Sequence, residues 1–201
     1  MVTANKPELI FEEETHTYTL HREGFADIIL PSVSEIIALI HEKSYGNISD
    51  RILETAADRG TRAHRAIQFY NQYHFKNVDD DCAGFFDAYL KFREEHADWD
   101  LVHSEYQTYH QFLLYGMTAD EIYGYDGKTI LLDIKTPQKA LLKTWAVQLG
   151  GYKAGLESQG TKISETYILQ LFNDGHYILH LIKPDFSTFL ACYTIFNFKE
   201  D

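Results

Sequence analysis

The chain has 201 residues, of which 45% are hydrophobic and 24% charged, and this composition excludes global disorder and predicts one folded domain over residues 1–201. Its formal net charge of −12 argues against a protein that coats nucleic acid through bulk charge, but leaves room for a local basic groove. No apolar run approaches the roughly 20 residues that cross a bilayer, and residues 1–16 lack the pattern of a secretory signal. Cys82 and Cys192 are too few for a disulfide scaffold or a four-cysteine metal site, so we expect a cytoplasmic protein without a membrane partner.

The first half of the chain is predicted to be largely helical, over about residues 34–97. Residues 9–20 precede it as a predicted hairpin or extended segment. Ser34 resembles an N-cap, which predicts a short helix over about 34–43. Apolar residues recur every three or four positions over about 50–75 and again over about 79–97, so both segments are predicted to be long helices.

The second half, over about residues 99–196, is rich in strands, because at Trp99 the apolar period changes from helical spacing to alternation. Gly127 marks a hairpin turn between two of these strands. The predicted elements are strands over about 101–110, 112–124 and 129–136, a helix over about 140–158, strands over about 165–172 and 176–182, and a helix after Pro184. This order predicts a mixed α/β (α+β) fold, in which helices flank a central mixed β-sheet that contains an antiparallel meander.

Two carboxylates and a lysine are predicted to meet on this meander. Asp120 and Asp133 lie on strands that are joined by the tight hairpin, and Lys135 shares a strand face with Asp133. Such a trio suits metal-assisted phosphodiester hydrolysis, because hard oxygen ligands hold Mg²⁺ or Mn²⁺ and a lysine offsets charge. Taken alone, an Asp–Lys pair at a strand end is more often a surface ion pair, and that alternative stays open here.

The order of these residues resembles a known family. The run GMTADEIYGYDGKTILLDIKT followed by WAVQLGGY is similar to the PD-(D/E)xK nuclease superfamily, in its RecB-like and phage lambda-type exonuclease branch. On this resemblance Asp120 and Asp133 match the motif acids, and Lys135 matches the motif lysine. Gln148 and Tyr152 match the branch's Q-x-x-x-Y motif.

Two further segments carry the resemblance upstream. The run RGTRAHRAI is similar to the helical histidine motif of the branch, which implies that His64 is a metal ligand, and Glu105 in HSEYQTY matches a glutamate on the strand before the first acid. Two departures stand beside these matches. Ala119 replaces the proline of the family name, and Gly116 lies four residues before Asp120 instead of three, which predicts a β-bulge or a different strand exit.

The resemblance implies a restriction-endonuclease-like core and a metal-dependent DNA exonuclease of phage or bacterial recombination or repair. One or two Mg²⁺ or Mn²⁺ ions would be held by His64, Asp120, Asp133 and the backbone carbonyl of Ile134, with Glu105 as a further ligand. The implied catalytic residues are Lys135, Asp120, Asp133, Gln148 and Tyr152. No iron–sulfur cluster is expected, because two cysteines cannot provide its four ligands. The implied partners are linear DNA ends, single- or double-stranded, a recombination or single-strand annealing protein, and copies of the chain in a ring-shaped homo-oligomer.

Basic side chains flank the predicted site in two runs. Both runs are predicted to track DNA phosphates, and the alternative is that they are ordinary solvated helix faces. Their members are Arg59, Arg62 and Arg65 around His64, and Lys139, Lys143 and Lys153 around the Gln148–Tyr152 segment.

Three other functions stay open from the sequence. A structure-specific endonuclease on the same core would need added base-reading loops, for which 201 residues leave little room. A non-catalytic DNA-end-binding module would have lost part of the Asp–Asp–Lys set, which is intact here. A small-molecule-binding α/β protein would be expected to carry a glycine-rich phosphate loop, and we find none in the sequence.

Overall fold

The computed structural model describes residues 7–45 and 50–198. Its first elements form a small antiparallel sheet in the order β1 (Glu8–Glu12), β2 (Thr17–His21), β3 (Ile28–Leu30). The predicted hairpin over 9–20 corresponds to β1 and β2, whereas β3 was not predicted, because three residues are too few to show alternation. Tyr18 and Leu20 are buried beneath this sheet against Tyr109 of the next sheet.

Three helices follow, and the first has a different cap from the predicted one. The helices are α1 (Val33–Tyr45), α2 (Asp50–Tyr73) and α3 (Ala83–Glu95), with a short 3₁₀ helix at Asp80–Cys82. Ser32, not Ser34, caps α1. Its Oγ accepts a 3.1 Å hydrogen bond from the N–H of Glu35, and its own N–H donates to Glu35 Oε2 at 2.7 Å. This reciprocal capping box satisfies two backbone groups that would otherwise be unpaired in a buried position.

The large sheet confirms the predicted mixed α/β fold. Its strands lie in sequence order: β4 (Asp100–Tyr109), β5 (Gly116–Tyr125), β6 (Lys128–Lys135), β7 (Glu165–Leu171) and β8 (Tyr177–Leu181). Neighbouring strands are antiparallel except β6 and β7, which are parallel and are connected by α4 (Leu142–Ser158). The last helix is α5 (Phe186–Phe196). Strand β5 starts at residue 116 rather than 112, because residues 110–115 form the connection from β4.

Helices cover both faces of the large sheet and form two cores. One core contains Ile36 of α1, Trp145 of α4 and Phe189 of α5, and the other contains Ile67 of α2 and Phe86 of α3. Within the described ranges, no helix combines the length and apolar composition that a bilayer-spanning segment needs.

Two glycines of the QLGGY segment allow α5 to approach α4 closely. A Cβ on Gly150 would lie 2.6 Å from the backbone carbonyl carbon of Asp185, and one on Gly151 would lie 2.6 Å from the ring of Phe189. Both distances are shorter than non-bonded carbon atoms tolerate. The glycines therefore fix how α4 is seated, and α4 carries Tyr152.

Candidate metal centre in the large cleft

A cleft of about 1350 Å³ opens between the small sheet, α2, strands β4 and β5, and the segment after β6. Polar residues on its lining include His64, Glu105, Asp120 and Tyr152. Most small-molecule pockets have volumes of roughly 300–1,000 Å³. The size of this cleft therefore favours an extended ligand.

Asp120 lies where β5 and β6 separate. The pairing of the two strands ends at Glu121 and Leu132, and Asp120 and Asp133 lie just beyond this last pair. Beyond that point Asp120 Oδ2 accepts a 2.7 Å hydrogen bond from the backbone N–H of Ile134. The carboxylate of Asp120 thus accepts the hydrogen bond that a backbone carbonyl of a paired strand would otherwise accept, and this contact fixes the position of the side chain.

The alternation of β5 changes phase at the same place. Ala119 and Ile122 belong to the same core, whereas Tyr123 belongs to the core on the other face. Regular alternation would put residues 119 and 122 on opposite faces, so one residue between them is out of phase. The displaced Gly116 predicted a β-bulge or a different strand exit. Strands β4 and β5 pair regularly from Gly116 to Ala119, and their register shifts instead between Leu101 and His103 of β4.

Gly116 leaves space for the aromatic ring of Tyr18. A Cβ at Gly116 would lie 2.3 Å from Tyr18 Cγ, so only glycine lets this buried ring lie against β5. The hydroxyl of Tyr18 shares a 2.7 Å hydrogen bond with Thr118 Oγ1. Burial raises the pKa of Tyr18 to about 12, and the nearby carboxylates of Glu105 and Asp120 add to this rise. Tyr18 is therefore a neutral side chain near the carboxylates of Glu105 and Asp120.

Glu105 occupies an unusual backbone conformation opposite Asp120. Its φ of 51° lies in the left-handed region, which is costly for a glutamate in a strand. The neighbouring pairs, Ser104 with Glu121 and Tyr106 with Ala119, put Glu105 in register with Asp120. Burial raises the pKa of Glu105 to about 8, and the charge of Asp120 is the next largest cause.

His64 approaches the same point from α2. Its Nδ1 lies 3.6 Å from Asp120 Oδ2, which is longer than a hydrogen bond. Burial lowers the pKa of His64 to about 4, and the positive charge of Lys135 lowers it further. At neutral pH the imidazole is therefore uncharged, and one ring nitrogen has a lone pair for a cation.

The three side chains form a group that could hold a metal ion. One ligand atom each from His64, Glu105 and Asp120 lies within 4.8 Å of the others. Oxygen ligands of Mg²⁺ and Ca²⁺ sit about 2.0–2.6 Å from the ion, so two ligands of one ion are at most about 5 Å apart. Two carboxylates with one imidazole suit Mg²⁺ or Mn²⁺ better than a soft metal. Burial also raises the pKa of Asp120, a cost that a bound cation would offset.

Asp133 and Lys135 lie next to this group rather than in it. Asp133 is 1% exposed, and its Oδ2 forms a 2.7 Å ion pair with Lys135 Nζ. Apart from this ion pair, Oδ2 has no hydrogen-bond partner among the described residues. Burial raises the pKa of Asp133 to about 6, against the effect of Lys135 and with that of Asp120. A buried acceptor with spare capacity fits a second contact to a cation or its water.

Tyr152 and Gln148 form one unit on α4. Gln148 Nε2 donates a 2.9 Å hydrogen bond to the Tyr152 hydroxyl, which leaves the hydroxyl proton available to another acceptor. Tyr152 is 6% exposed and lines the cleft. Burial and the charges of Asp133 and Asp120 raise its pKa well above the usual value, so the hydroxyl keeps its proton.

Three of the predicted phosphate-binding side chains line the cleft, namely Arg59, Arg65 and Lys139. Arg59 also packs over the ring of Phe85, with 5.4 Å from its guanidinium carbon to the ring centre. Arg65 and Lys139 are exposed at the rim, where Arg65 Nη2 also forms a 3.3 Å ion pair with the exposed Glu13. These three residues define the basic rim.

The other three predicted side chains lie away from the cleft lining, which corrects the predicted groove. The guanidinium of Arg62 bonds three carboxylates, those of Asp58, Asp79 and Asp81, at 2.7–3.0 Å. Lys143 lines a second surface depression beside Pro184, and Lys153 donates a 2.7 Å hydrogen bond to the carbonyl of Ile163 and pairs with Glu157. Their spacing in the sequence predicted that all three lie near the site. Each lies instead on a helix face that points away from the cleft.

Glu121 supports the centre and was not predicted. This 1% exposed carboxylate accepts hydrogen bonds from the hydroxyls of Tyr89 and Tyr123, both at 2.6 Å, and from Asn71 Nδ2 at 2.7 Å. Asn71 lies two turns after His64 on one face of α2, so this contact fixes the helix that delivers His64. An acid directly after a motif acid on a buried strand was the signal, because it must find partners on the opposite face.

The clustered acids predict a stability that falls with pH in the absence of a metal. The pKa of Glu105, about 8, exceeds the usual 4.5, so the folded protein binds more protons than the unfolded chain between these values. We expect the free energy of unfolding of the metal-free protein to fall by about 2 kcal/mol from pH 6 to pH 8. Urea denaturation in EDTA measures it.

Two controls test the cause of this pH dependence. Glu105→Gln should flatten the profile, and Mn²⁺ should stabilise the wild-type protein more at pH 8 than at pH 6, because the ligands must be deprotonated. An identical fall in the Glu105→Gln variant would show that other groups cause it.

Comparisons with known proteins give distant structural neighbours only. No protein-family model matches the sequence, and a comparison with curated proteins finds no match. Among solved structures, an alkaline exonuclease (LHK-Exo) from Laribacter hongkongensis is 12% identical over 66% of this chain and 75% of its own, with a TM-score of 0.36. The protein SSO0001 is 16% identical over 80% of this chain and 82% of its own, also with a TM-score of 0.36. The function proposed below therefore rests on the site.

Proposed function

We propose that the protein is a metal-dependent deoxyribonuclease that hydrolyses phosphodiester bonds and acts on DNA ends as an exonuclease. The observation that carries the proposal is the convergence of His64, Glu105 and Asp120 in a large cleft, with the Asp133–Lys135 ion pair beside them. Three carboxylates crowd this part of the cleft, and the pKa values of Glu105, Asp120 and Asp133 are all raised; acids perturbed in this way are typical of functional sites.

A divalent cation fits this set of ligands. His64, Glu105 and Asp120 would hold Mg²⁺ or Mn²⁺, with Asp133 and the carbonyl of Ile134 as further ligands of one or two ions. The bound cation supplies Lewis acidity at a phosphoryl oxygen and offsets the charge that develops on it.

The remaining chemistry comes from side chains that keep their protons. Lys135 holds a positive charge beside Asp133, where it can face the same phosphate. Tyr152 keeps its hydroxyl proton and can donate it to a phosphate oxygen, since Gln148 already occupies one acceptor site of that hydroxyl. Gln148 is a positioning residue in this scheme.

Labelled DNA tests the proposal directly. The protein is incubated with end-labelled linear DNA and with circular DNA, in Mg²⁺, in Mn²⁺ and in EDTA. We expect stepwise loss of nucleotides from linear DNA, no attack on the circle, and no reaction in EDTA. Cleavage of the circle would replace the exonuclease by an endonuclease on the same site. Intact DNA of both forms with either metal would contradict the nuclease proposal.

The basic rim predicts a specific salt dependence of DNA binding. Replacing Arg65 and Lys139 together with Gln should make the negative slope of log K against log salt shallower by about 2, since two phosphate contacts are lost. Arg62→Gln is the matched control from the same helix as Arg65. Its guanidinium bonds three carboxylates at 2.7–3.0 Å, whereas Arg65 has a single, longer ion pair with Glu13 at 3.3 Å, so the slope should stay unchanged in Arg62→Gln. The reverse result would move the groove to the Arg62 side of α2.

The setting of the enzyme follows from the resemblance of its motifs. We propose a cytoplasmic role in phage or bacterial recombination or repair, with a recombination or single-strand annealing protein as partner and a ring-shaped homo-oligomer as the working form. Analytical ultracentrifugation with and without a DNA duplex tests the oligomer, and a single species of monomer mass in both conditions would contradict it.

A further inference from the structure

Three aromatic rings of the small sheet form a cluster on the wall of the same cleft. Phe11 of β1, His16 of the connecting turn and Tyr18 of β2 all line it. The ring of His16 stands edge-on to Phe11, with 5.1 Å between ring centres, and to Tyr18, with 5.7 Å. Phe11 and Tyr18 are 4.6 Å apart. We call these three residues the aromatic cluster.

Contacts within the protein position the cluster. Tyr18 is 1% exposed and is held by its hydrogen bond to Thr118, while Phe11 is half-buried and His16 is exposed. The backbone of His16 has a φ of 52°, a conformation that few non-glycine residues adopt. An exposed ring in a strained turn, packed against two other rings, presents its surface at little further entropic cost.

The cluster is close to the acidic group. The charges of Glu105 and Asp120 both raise the pKa of Tyr18, and Thr118, its hydrogen-bond partner, precedes Asp120 by two residues. Arg59, Arg65 and Lys139 line the same cleft. Basic side chains, a candidate hydrolytic centre and an aromatic surface therefore share one cavity.

We propose that the aromatic cluster is a base-stacking subsite, which holds an unpaired terminal nucleobase while the adjoining phosphate lies beside the carboxylates of Glu105 and Asp120. This inference rests on the proposed nuclease function and names its substrate class, a DNA strand with unpaired nucleotides at its end. Each base has a π-face, so stacking on aromatic rings is tolerant of sequence. A fully paired blunt end hides these faces, and it must fray before its last base reaches the cluster.

Oligonucleotide binding tests the subsite. Short thymidine oligonucleotides, labelled at one end, carry at the other end either normal nucleotides or abasic ones, with both polarities made. Fluorescence anisotropy is measured in Ca²⁺, and a gel confirms that the oligonucleotides stay intact. We expect wild-type protein to bind one normal end roughly tenfold more tightly than the matching abasic end.

Two variants locate the effect. His16→Asn removes the ring but keeps a residue that tolerates positive φ, so the turn should fold. It should bind normal and abasic ends equally. His21→Asn is the matched control, since His21 lies in the same small sheet, is exposed, bonds Asp27 and does not line the cleft. It should keep the tenfold preference, and Phe11→Leu should reduce it while preserving apolar packing.

The outcomes separate this inference from the proposed function. Equal affinities of wild-type protein for normal and abasic ends of both polarities, with cleavage of linear DNA intact, overturn the subsite and leave the nuclease. A preference that His16→Asn retains also overturns the subsite. Absence of both cleavage and DNA binding overturns both proposals.

Discussion

Asp120→Asn is expected to lower DNA cleavage by about 10³-fold or more and to weaken Mn²⁺ binding, while the fold is kept. An asparagine oxygen can still accept the hydrogen bond from Ile134 N–H, so the junction of β5 and β6 stays in place. The negative charge is lost at the centre of the ligand group, and the contribution of a positioned cation to phosphoryl chemistry is several kcal/mol. Calorimetry with Mn²⁺ and single-turnover cleavage measure the two effects.

The stability of this variant distinguishes a functional role from a structural one. Asp120 is half-buried near Glu105 and Asp133, and its partial burial raises its pKa. Removing its charge should therefore make the metal-free protein more stable at pH 8 than wild-type, because like charges no longer repel. Asp126→Asn, in the exposed turn of the same hairpin, should change none of these quantities. Full Mn²⁺ affinity in Asp120→Asn would refute the metal centre.

Local signals predicted most elements of the fold, and long-range pairing supplied the rest. The turn at Gly127 and the alternation around it predicted the β5–β6 hairpin, since two adjacent strands joined by a tight turn can pair in few ways. The parallel pairing of β6 with β7 depends on a crossover through α4, which no short window of sequence encodes. The cap of α1 was misplaced because Ser32 and Ser34 both precede the apolar run, and only the contact with Glu35 decides between them.

The candidate site was predictable in its members but not in its geometry. The order of motifs named His64, Glu105 and Asp120, and the hairpin predicted that Asp120 and Asp133 lie close together. It did not predict that the strands separate beyond the Glu121–Leu132 pair. Glu105 lies beside Asp120 and has a left-handed backbone conformation. Glutamate has no preference for this conformation, so the sequence could not predict it. The basic residues were predictable only as a set, because each charge goes to whichever partner its helix face meets. Arg65 thus lines the cleft, whereas Arg62 forms ion pairs with Asp79 and Asp81 at the 3₁₀ helix.

The structure also changes what is expected of the lysine of the motif. Lys135 Nζ lies 2.7 Å from the buried carboxylate of Asp133, so truncation to alanine would leave that charge without its partner. An uncompensated buried charge is strongly destabilising unless it takes up a proton, and the pKa of Asp133 would rise. Loss of activity in Lys135→Ala would then mix a chemical effect with a structural one.

Lys135→Met and Lys135→Arg together separate these effects. Methionine keeps much of the stem volume without the charge, and arginine keeps the charge with a different shape. We expect Lys135→Met to lose stability and about 10²–10³ in single-turnover rate, the typical cost of one positioned group that stabilises developing charge. Lys135→Arg should recover most of the stability but little of the rate, because its planar fork cannot place a point charge at the same phosphate.

Metal affinity and a control from the same strand complete the argument. Removing a positive charge beside the acids should leave the Mn²⁺ affinity of Lys135→Met unchanged or higher, the opposite of Asp120→Asn. Lys128→Met, at the exposed start of β6, loses only a surface pair with Glu165 and should cleave like wild-type. If Lys135→Met turned over linear DNA at close to the wild-type rate, Lys135 would be no more than the counter-ion of Asp133. A slow Lys135→Met with intact Mn²⁺ binding, together with a stable but slow Lys135→Arg, would instead put Lys135 in the chemical step, since neither lost stability nor lost metal could explain the slow rate of both variants.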